Sequence, residues 1–147
     1  MSELAAPRET DQSRRPRMRP RDPNDIFEIL ELSRELVCFL SGPDLRVEFA
    51  NAAFTRLIGA DVVGARAQQI LIENPGLFKL IQQVYNSGQT QEIRETEVWM
   101  NGKKSYFNMT LSPRNDIEHD VTGVIALGLD VTELVLTKRA AEINKER

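Results

Sequence analysis

The chain has 147 residues, of which 41% are hydrophobic and 28% are charged, and its formal net charge is -3 at pH 7. This length and balance are typical of one globular domain with a single core, and so small a net charge indicates nothing about nucleic-acid binding. No apolar run approaches the ~20 residues that span a bilayer, and the polar, arginine-rich start lacks the apolar stretch of a secretory signal.

The residues that most often carry catalysis are sparse. The single cysteine, Cys38, cannot form a disulfide within the chain, which favours a reducing, cytoplasmic location. The single histidine, His119, falls in a polar turn far along the predicted sheet from Cys38, so the two are not expected to act as base and nucleophile. The sequence has no Walker-type loop, no CxxC and no HExxH. We therefore expect no catalytic residue and no metal site.

Residues 1–24 are predicted to form a disordered tail, because they contain four prolines and almost no large apolar side chain. Within this tail the segment Arg14–Arg21 holds five arginines and no acidic residue. Such a run suits nucleic acid, an anionic membrane surface or an acidic partner, and a solvated tail is the plainer interpretation.

A helix is predicted over residues 25–36, where Ile26, Ile29 and Leu36 recur near helical spacing behind a polar cap. The segments "VCFL" and "LRVEFA" then read as two short strands separated by a turn. The N-terminal part of the chain is therefore expected to be a helix followed by a β-hairpin.

Two further helices are predicted from their end signals. Asn51 can accept a hydrogen bond from an amide of the first turn of one helix, which Gly59 suits as a C-terminal cap. A longer helix begins at Pro75 and closes at Gly88. Between them we expect short helical turns interrupted by Gly64.

Three β segments follow, over residues 90–100, 105–113 and 121–130. Asn101-Gly102 is a strong hairpin signal between the first two, and the second segment alternates, with Phe107, Met109 and Leu111 on one face. The third is apolar on both faces, which is typical of a central strand covered on each side.

The chain ends in a predicted helix over residues 133–147. Thr132 can cap its first amides, and Glu133 can complement the helix dipole. Leu136 and Ile143 give a single seven-residue step, and an isolated helix of this length is marginal in water. We therefore expect the helix to require a partner, either a second copy of the chain or the core of a longer protein.

Taken in this order, the elements resemble a PAS domain over roughly residues 25–134. The likeness rests on "VEFANAAFTRLIG", on Gly64 after it, on "LIQQVYNSGQ", on the Asn101-Gly102 hairpin and on "GVIALGLDVTE". The last of these contains Asp130-Val131-Thr132-Glu133, which is similar to the Asp-Ile-Thr signature at the end of PAS domains in bacterial signalling proteins.

The resemblance implies an α+β fold, with a five-stranded antiparallel sheet, a helical flank, an N-terminal capping helix over 25–36 and a C-terminal signalling helix over 135–147. It implies a bacterial sensory and dimerisation module, as in two-component systems, that relays a change caused by a ligand or partner to the last helix. Any enzyme activity, such as that of a histidine kinase or cyclic-nucleotide enzyme, would need a catalytic domain beyond Arg147.

The same resemblance implies two groups of site residues. Eight side chains are expected around a central cavity: Phe54, Leu57, Ile58, Leu77, Phe78, Ile81, Phe107 and Met109. Signal relay is expected at Asp130, Thr132 and Glu133, with Asp130 paired to a basic side chain on the sheet, for which Lys103 and Lys104 are the candidates.

The expectation for cofactors is a closed core without one, and a noncovalent flavin or a small metabolite is the alternative. The reactive-cysteine motif of flavin photoreceptors is absent, and Cys38 is interpreted as a buried apolar residue. The long helix has no histidine for haem, and the short segment between Gly64 and Leu77 argues against a large cofactor. Trp99 is interpreted as packed on a sheet face rather than as a ligand contact.

A homodimer through the first and last helices is the expected assembly. The first helix can cover Ile125, Leu127 and Leu129 on the outer face of its own sheet, or exchange across the dimer. A downstream signalling protein is a further expected partner. The alternative function is a ligand-free assembly adaptor whose arginine-rich tail recruits an acidic partner or nucleic acid.

Overall fold

The structure, a computed structural model, describes residues 23–146. Most of the predicted disordered tail, including Arg14–Arg21, lies outside the described residues. None of the helices in the described part of the chain is long and apolar enough to cross a membrane.

The described chain forms one five-stranded antiparallel sheet with helices on its flank, which confirms the predicted α+β class. The strands lie in the order β2-β1-β5-β4-β3. Their bounds are Leu36–Ser41 for β1, Arg46–Ala50 for β2, Gln91–Met100 for β3, Lys103–Asn115 for β4 and Val121–Asp130 for β5. The helices are α1 (Pro23–Leu32), α2 (Ala52–Ile58), α3 (Ala67–Ile70), α4 (Pro75–Ser87) and α5 (Thr132–Glu146).

The main core lies between the inner face of the sheet and helices α2 to α4. The predicted alternation of β4 places Phe107, Met109 and Leu111 in this core, where each is at most 9% exposed. Tyr106 is also buried, but it belongs to a second cluster with Val131 and Val135. Because successive side chains of a strand point to opposite faces, β4 serves both clusters.

The turns follow the sequence signals closely. Asn101 and Gly102 both have positive φ, 55° and 77°, which the tight turn of the β3–β4 hairpin requires. Gly59 ends α2 with a left-handed φ of 85°, as its position after the last apolar residue predicts. The segment after Gly64 runs beside β2, where the amide of Val47 donates to Ala65 O and the amide of Ala67 donates to Leu45 O.

Asn51 does more than the predicted capping. Its Oδ1 accepts hydrogen bonds from the amides of Phe54 (3.1 Å) and Val37 (3.0 Å). Its Nδ2 donates to the carbonyls of Leu30 (2.9 Å) and Glu35 (2.8 Å). The side chain is fully buried, so one amide joins the end of α1, the start of β1 and the start of α2.

The predicted C-terminal end of the first helix, α1, is wrong. It stops at Leu32 rather than residue 36, and Leu36 and Val37 belong to β1, where they pair with β5. The amide of Val37 bonds to Asn51 and pairing with the central strand fixes its backbone, so tertiary contacts override the helical spacing.

The outer face of the sheet is less covered than predicted. β5 is the central strand, as expected, and its inner residues Val124 and Ala126 are buried. On the outer face Leu129 is 42% exposed, and Ile125 and Leu127 are only half-buried. The helix α1 packs beside α2 instead of covering this face, and it leaves Ile29 and Leu32 exposed.

We expect Asn51→Ala to lower the free energy of unfolding by at least about 2 kcal/mol, since each buried group left without a hydrogen-bond partner costs about 1–3 kcal/mol. The measurement is urea denaturation followed by circular dichroism. The matched control is Asn86→Ala, at an exposed position of α4, which should change stability by less than about 0.5 kcal/mol. Equal effects of the two substitutions would contradict this role for Asn51.

Candidate functional site

A cavity of about 50 Å³ lies between the inner face of the sheet and helices α2 to α4. Its wall is formed by side chains of every strand of the sheet and by the three helices, and all of them are apolar. They are Leu36, Cys38, Leu40, Val47, Phe54, Leu57, Ala67, Ile70, Leu71, Leu77, Ile81, Val98, Met100, Phe107, Met109 and Ala126.

The structure brings most of the predicted cavity residues together. Six of the eight line the cavity: Phe54, Leu57, Leu77, Ile81, Phe107 and Met109. Ile58 and Phe78 do not, and they pack against the core from partly exposed positions. Each directly follows a lining residue on a helix, so the ~100° turn per residue directs it away from the cavity.

Sequence reasoning missed the cavity-lining residues of every strand except β4. Leu36, Cys38 and Leu40 line the cavity from β1, and Ala126 lines it from β5. The signal was the alternation of these three β1 residues, which marks one face of a strand. Assigning Leu36 to the preceding helix concealed that pattern.

The two residues considered for catalysis are not brought together as a reactive pair. Cys38 is buried in the cavity wall, and burial raises the pKa of its thiol to about 12. The thiol therefore stays protonated at neutral pH and behaves as a small apolar group. His119 is exposed in the turn between β4 and β5, with a positive φ of 69°.

The buried polar side chains near the core are already bonded to backbone. Asn74 Nδ2 donates to the carbonyl of Trp99, and Asn74 Oδ1 accepts from the amide of Trp99, both at 2.7 Å. Among the described residues, no buried side-chain nitrogen or oxygen lacks a hydrogen-bond partner. The indole of Trp99 lies outside the cavity, 38% exposed, with the Lys104 ammonium 5.9 Å from the ring centre.

The start of α5 is bonded to β4 through the backbone of Tyr106. The hydroxyl of Thr132 accepts from the amide of Tyr106 (2.9 Å), and the amide of Val131 donates to the carbonyl of Tyr106 (2.8 Å). The carboxylate of Asp130 accepts from the amide of Thr132 at 2.9 Å. Two of the predicted relay residues therefore lie where strand becomes helix, and Glu133 is exposed in the first turn of α5.

Two details of that prediction are wrong. Thr132 does not cap the helix, because its hydroxyl is bonded to Tyr106, and the carboxylate of Asp130 serves the first amide instead. Among the described residues Asp130 forms no ion pair with Lys103 or Lys104, and the ammonium of Lys104 lies 3.6 Å from Glu97 instead. The bond that occupies the hydroxyl of Thr132 comes from Tyr106, 26 residues away in the chain, so the local pattern did not contain it.

The first two turns of α5 lie against the same subunit. Val135 is 1% exposed and packs with Tyr106 and Val131. Arg139 Nη1 donates to the Tyr106 hydroxyl at 3.0 Å, and its guanidinium lies 4.9 Å from the centre of that ring. The first half of this helix, which was expected to require a partner, therefore packs on its own chain.

A second contact of α5 reaches a bulge in β3. The Lys138 ammonium lies 2.8 Å from a carboxylate oxygen of Glu95. Glu95 has a positive φ of 52°, and its amide donates to Asn108 Oδ1 at 2.9 Å. The register of β3 with β4 shifts between Ile93 and Thr96, so the bulge presents the Glu95 carboxylate to α5.

Residues 30–136 match a family model described as the PAS fold. The chain belongs to the PAS family. This membership confirms the resemblance found in the sequence and supports a sensory signalling module in general terms.

Three solved structures show the same fold. An RNA-binding Light-Oxygen-Voltage receptor is 22% identical, with a TM-score of 0.71 over 90% of this chain and 40% of that one. A Light-Oxygen-Voltage domain studied with a flavin analogue is 14% identical, with a TM-score of 0.61 over 84% of this chain and 96% of that one. VqmA of Vibrio cholerae, a LuxR-type receptor, is 17% identical, with a TM-score of 0.62 over 80% of this chain and 56% of that one.

Flavin is the cofactor that these comparisons raise, and the cavity does not fit it. A flavin carries carbonyl and ring-nitrogen groups that require hydrogen-bond partners, whereas every residue lining this cavity is apolar. The cavity volume of about 50 Å³ is also far below the roughly 300–1,000 Å³ of sites for drug-sized ligands.

The Glu95–Lys138 pair gives a test of how α5 rests on the sheet. The hydrogen bond and charge of Lys138 lower the pKa of the Glu95 carboxyl below its ordinary value. A carboxyl with a lowered pKa contributes stability above its unfolded pKa and loses it as the pH falls through the folded pKa. Acidification should therefore weaken this contact of α5.

We expect Lys138→Met to raise the titration midpoint of Glu95, measured by NMR of its side-chain carboxyl carbon. Lys103→Met is the matched control, because it removes an exposed lysine at the start of β4, and it should leave the midpoint unchanged. A midpoint that is the same in wild type and Lys138→Met would show that the pair does not form in solution.

Proposed function

We propose that this chain is a PAS-type sensory module in which a change at the cavity is transmitted through β4 to α5. The observation that carries the proposal is the placement of two adjacent residues. Phe107 lines the cavity, whereas Tyr106 lies beneath α5 and bonds through its backbone to Val131 and Thr132. One peptide group therefore separates the proposed input from the proposed output.

A second route runs through β5. A Cβ added at Gly128 would lie 2.8 Å from the sulfur of Met109 and 3.5 Å from a ring carbon of Phe107. These two side chains thus rest directly on the backbone of the central strand, two residues before Asp130. Displacing Met109 by a ligand would press on β5 close to the cap of α5.

The output requires α5 to have two states of similar free energy, one docked and one released. The helix is attached by one buried apolar side chain, Val135, and by the polar contacts of Lys138 and Arg139. Since an isolated helix of this length is marginal in water, release from the sheet favours a new partner for the helix. A signal worth a few kcal/mol is then sufficient to move the equilibrium.

We propose that two copies of the chain associate and that each α5, once released from its own sheet, packs against the other copy. Exposed apolar side chains lie on both terminal helices: Ile26, Ile29 and Leu32 on α1, and Leu134, Leu136 and Ile143 on α5. With Leu129 of the outer sheet face, they give two copies of the chain apolar surface to bury together.

The relay is tested by amide hydrogen exchange in variants with altered cavities. We expect Phe107→Leu to speed exchange at residues 135–139 by up to about tenfold. This corresponds to weakening the attachment of α5 by about as much free energy as one net hydrogen bond contributes. Exchange at Val84 and Tyr85 in α4, which do not line the cavity, gives the reference for any general loss of stability. The control is Leu71→Val, which enlarges the cavity from its other wall.

The relay would be contradicted if amide exchange sped up equally in α5 and α4 in both variants. In that case the alternative remains, an assembly adaptor in which the cavity plays no part and recruitment depends on the arginine-rich tail. A stronger effect of Phe107→Leu at α5 than at α4 supports the relay.

The dimer is tested by sedimentation of the full chain over a range of concentrations. We expect Ile29→Glu and Leu136→Glu each to weaken self-association at least tenfold, because each would bury a charge in the interface. Ile117→Glu is the matched control, since Ile117 is 96% exposed in the β4–β5 turn and lies on neither helix. A wild-type chain that stays monomeric throughout would contradict this assembly.

A further inference from the structure

The interior of the cavity offers a ligand only carbon and sulfur surface. The sulfur atoms belong to Cys38, Met100 and Met109, and the other lining residues are hydrocarbon. The nearby buried amides, Asn51 and Asn74, use their oxygen and nitrogen atoms on backbone groups. A ligand with polar groups would therefore give up hydrogen bonds to water on entering and receive none in return.

The volume sets a second limit. At about 50 Å³ the cavity has room for water, but a buried water needs two to four polar partners, which this wall does not supply. An engineered apolar cavity of about 150 Å³ stays dry and takes up benzene or xenon. The present cavity is about a third of that size, which suits an atom or a molecule of a few heavy atoms.

The residues that line the cavity include both buried and half-exposed side chains. On the sheet side Leu40, Phe107 and Ala126 are buried. On the helical side Leu57, Ile70 and Leu77 line the cavity and are also partly exposed. These half-exposed side chains place one border of the cavity at the protein surface, where a small ligand can enter.

We infer that the cavity is a binding site for small, uncharged, apolar molecules, from a gas atom to a hydrocarbon of a few carbons, and that it rejects flavin. The inference rests on the proposed function, because it names the ligand class of the same sensory cavity. Size excludes large hydrophobic cofactors, and the lack of hydrogen-bonding groups excludes polar metabolites.

Xenon is the probe for the test, applied under pressure to the full chain and followed by methyl NMR. The methyl groups of Leu57, Ile81 and Met109 should shift, and the shifts should saturate with pressure. Leu32 at the end of α1 and Ile117 in the β4–β5 turn provide the internal control, because both are exposed, do not line the cavity and take no part in the proposed relay. Absence of saturable shifts at the cavity methyls would overturn the inference.

Filling the cavity should abolish the response. Ala126→Leu adds volume directly into the cavity, and Ala67→Val does so from α3 should the first variant fail to fold. Ala140→Leu is the matched control, since Ala140 is exposed on α5, and it should keep the full xenon response. A response that survives in the folded filled variant would place xenon elsewhere and overturn the site.

Flavin mononucleotide is the opposing probe. Added to the full chain, it should leave the cavity methyls unshifted, and the protein purified from its host should show no flavin absorption. Retained flavin, or flavin that removes the xenon shifts, would overturn the proposed ligand class. Xenon shifts at the cavity without any change in the amides of residues 132–135 would support the ligand class and count against the relay.

Discussion

Four hydrogen bonds made by the side chain of Asn51 hold the N-terminal half of the fold in register. They join the end of α1, the first residues of β1 and the first turn of α2, three segments that the chain alone would leave free to separate. Because the side chain is fully buried, water cannot replace these bonds without opening the core. The position of β1, and with it one wall of the cavity, depends on this amide.

The sheet built on that register separates two environments. Its inner face encloses an apolar cavity, and its outer face carries the base of α5. Strand β4 connects the two environments directly, because successive side chains of a strand point to opposite faces. Phe107 therefore faces the cavity and Tyr106 faces the helix. The small second cluster of Tyr106, Val131 and Val135 anchors the start of α5, while the solvent side of the helix exposes Leu136 and its second half exposes Ile143. The helix is thus attached at one end and left available at the other.

Local signals in the sequence predicted the strands, the two capped helices and the Asn101-Gly102 turn, because each depends on neighbours within a few residues. The same is true of six cavity residues on α2, α4 and β4, whose periodicity is clear. What the sequence did not reveal depends on long-range contacts. The end of α1 is decided by Asn51 and by pairing with β5, and the cap of α5 is decided by Tyr106, which occupies the hydroxyl of Thr132. Spacing also does not reveal which β1 residues face the cavity until the strand boundary is known.

The bulge at Glu95 and the segment after Gly64 have a consequence for how copies of this protein can meet. β2 and β3 are the two edges of the sheet, where unpaired backbone groups invite another chain to add a strand. At β2, residues 64–67 already occupy backbone groups of Leu45 and Val47. At β3, the bulge interrupts the regular backbone hydrogen bonding between β3 and β4. The exposed charged side chains along β3 are Glu92, Arg94 and Glu97. Edge-to-edge polymerisation into a continuous β-structure is thereby disfavoured, which leaves the helices and the outer face for the proposed contact between copies.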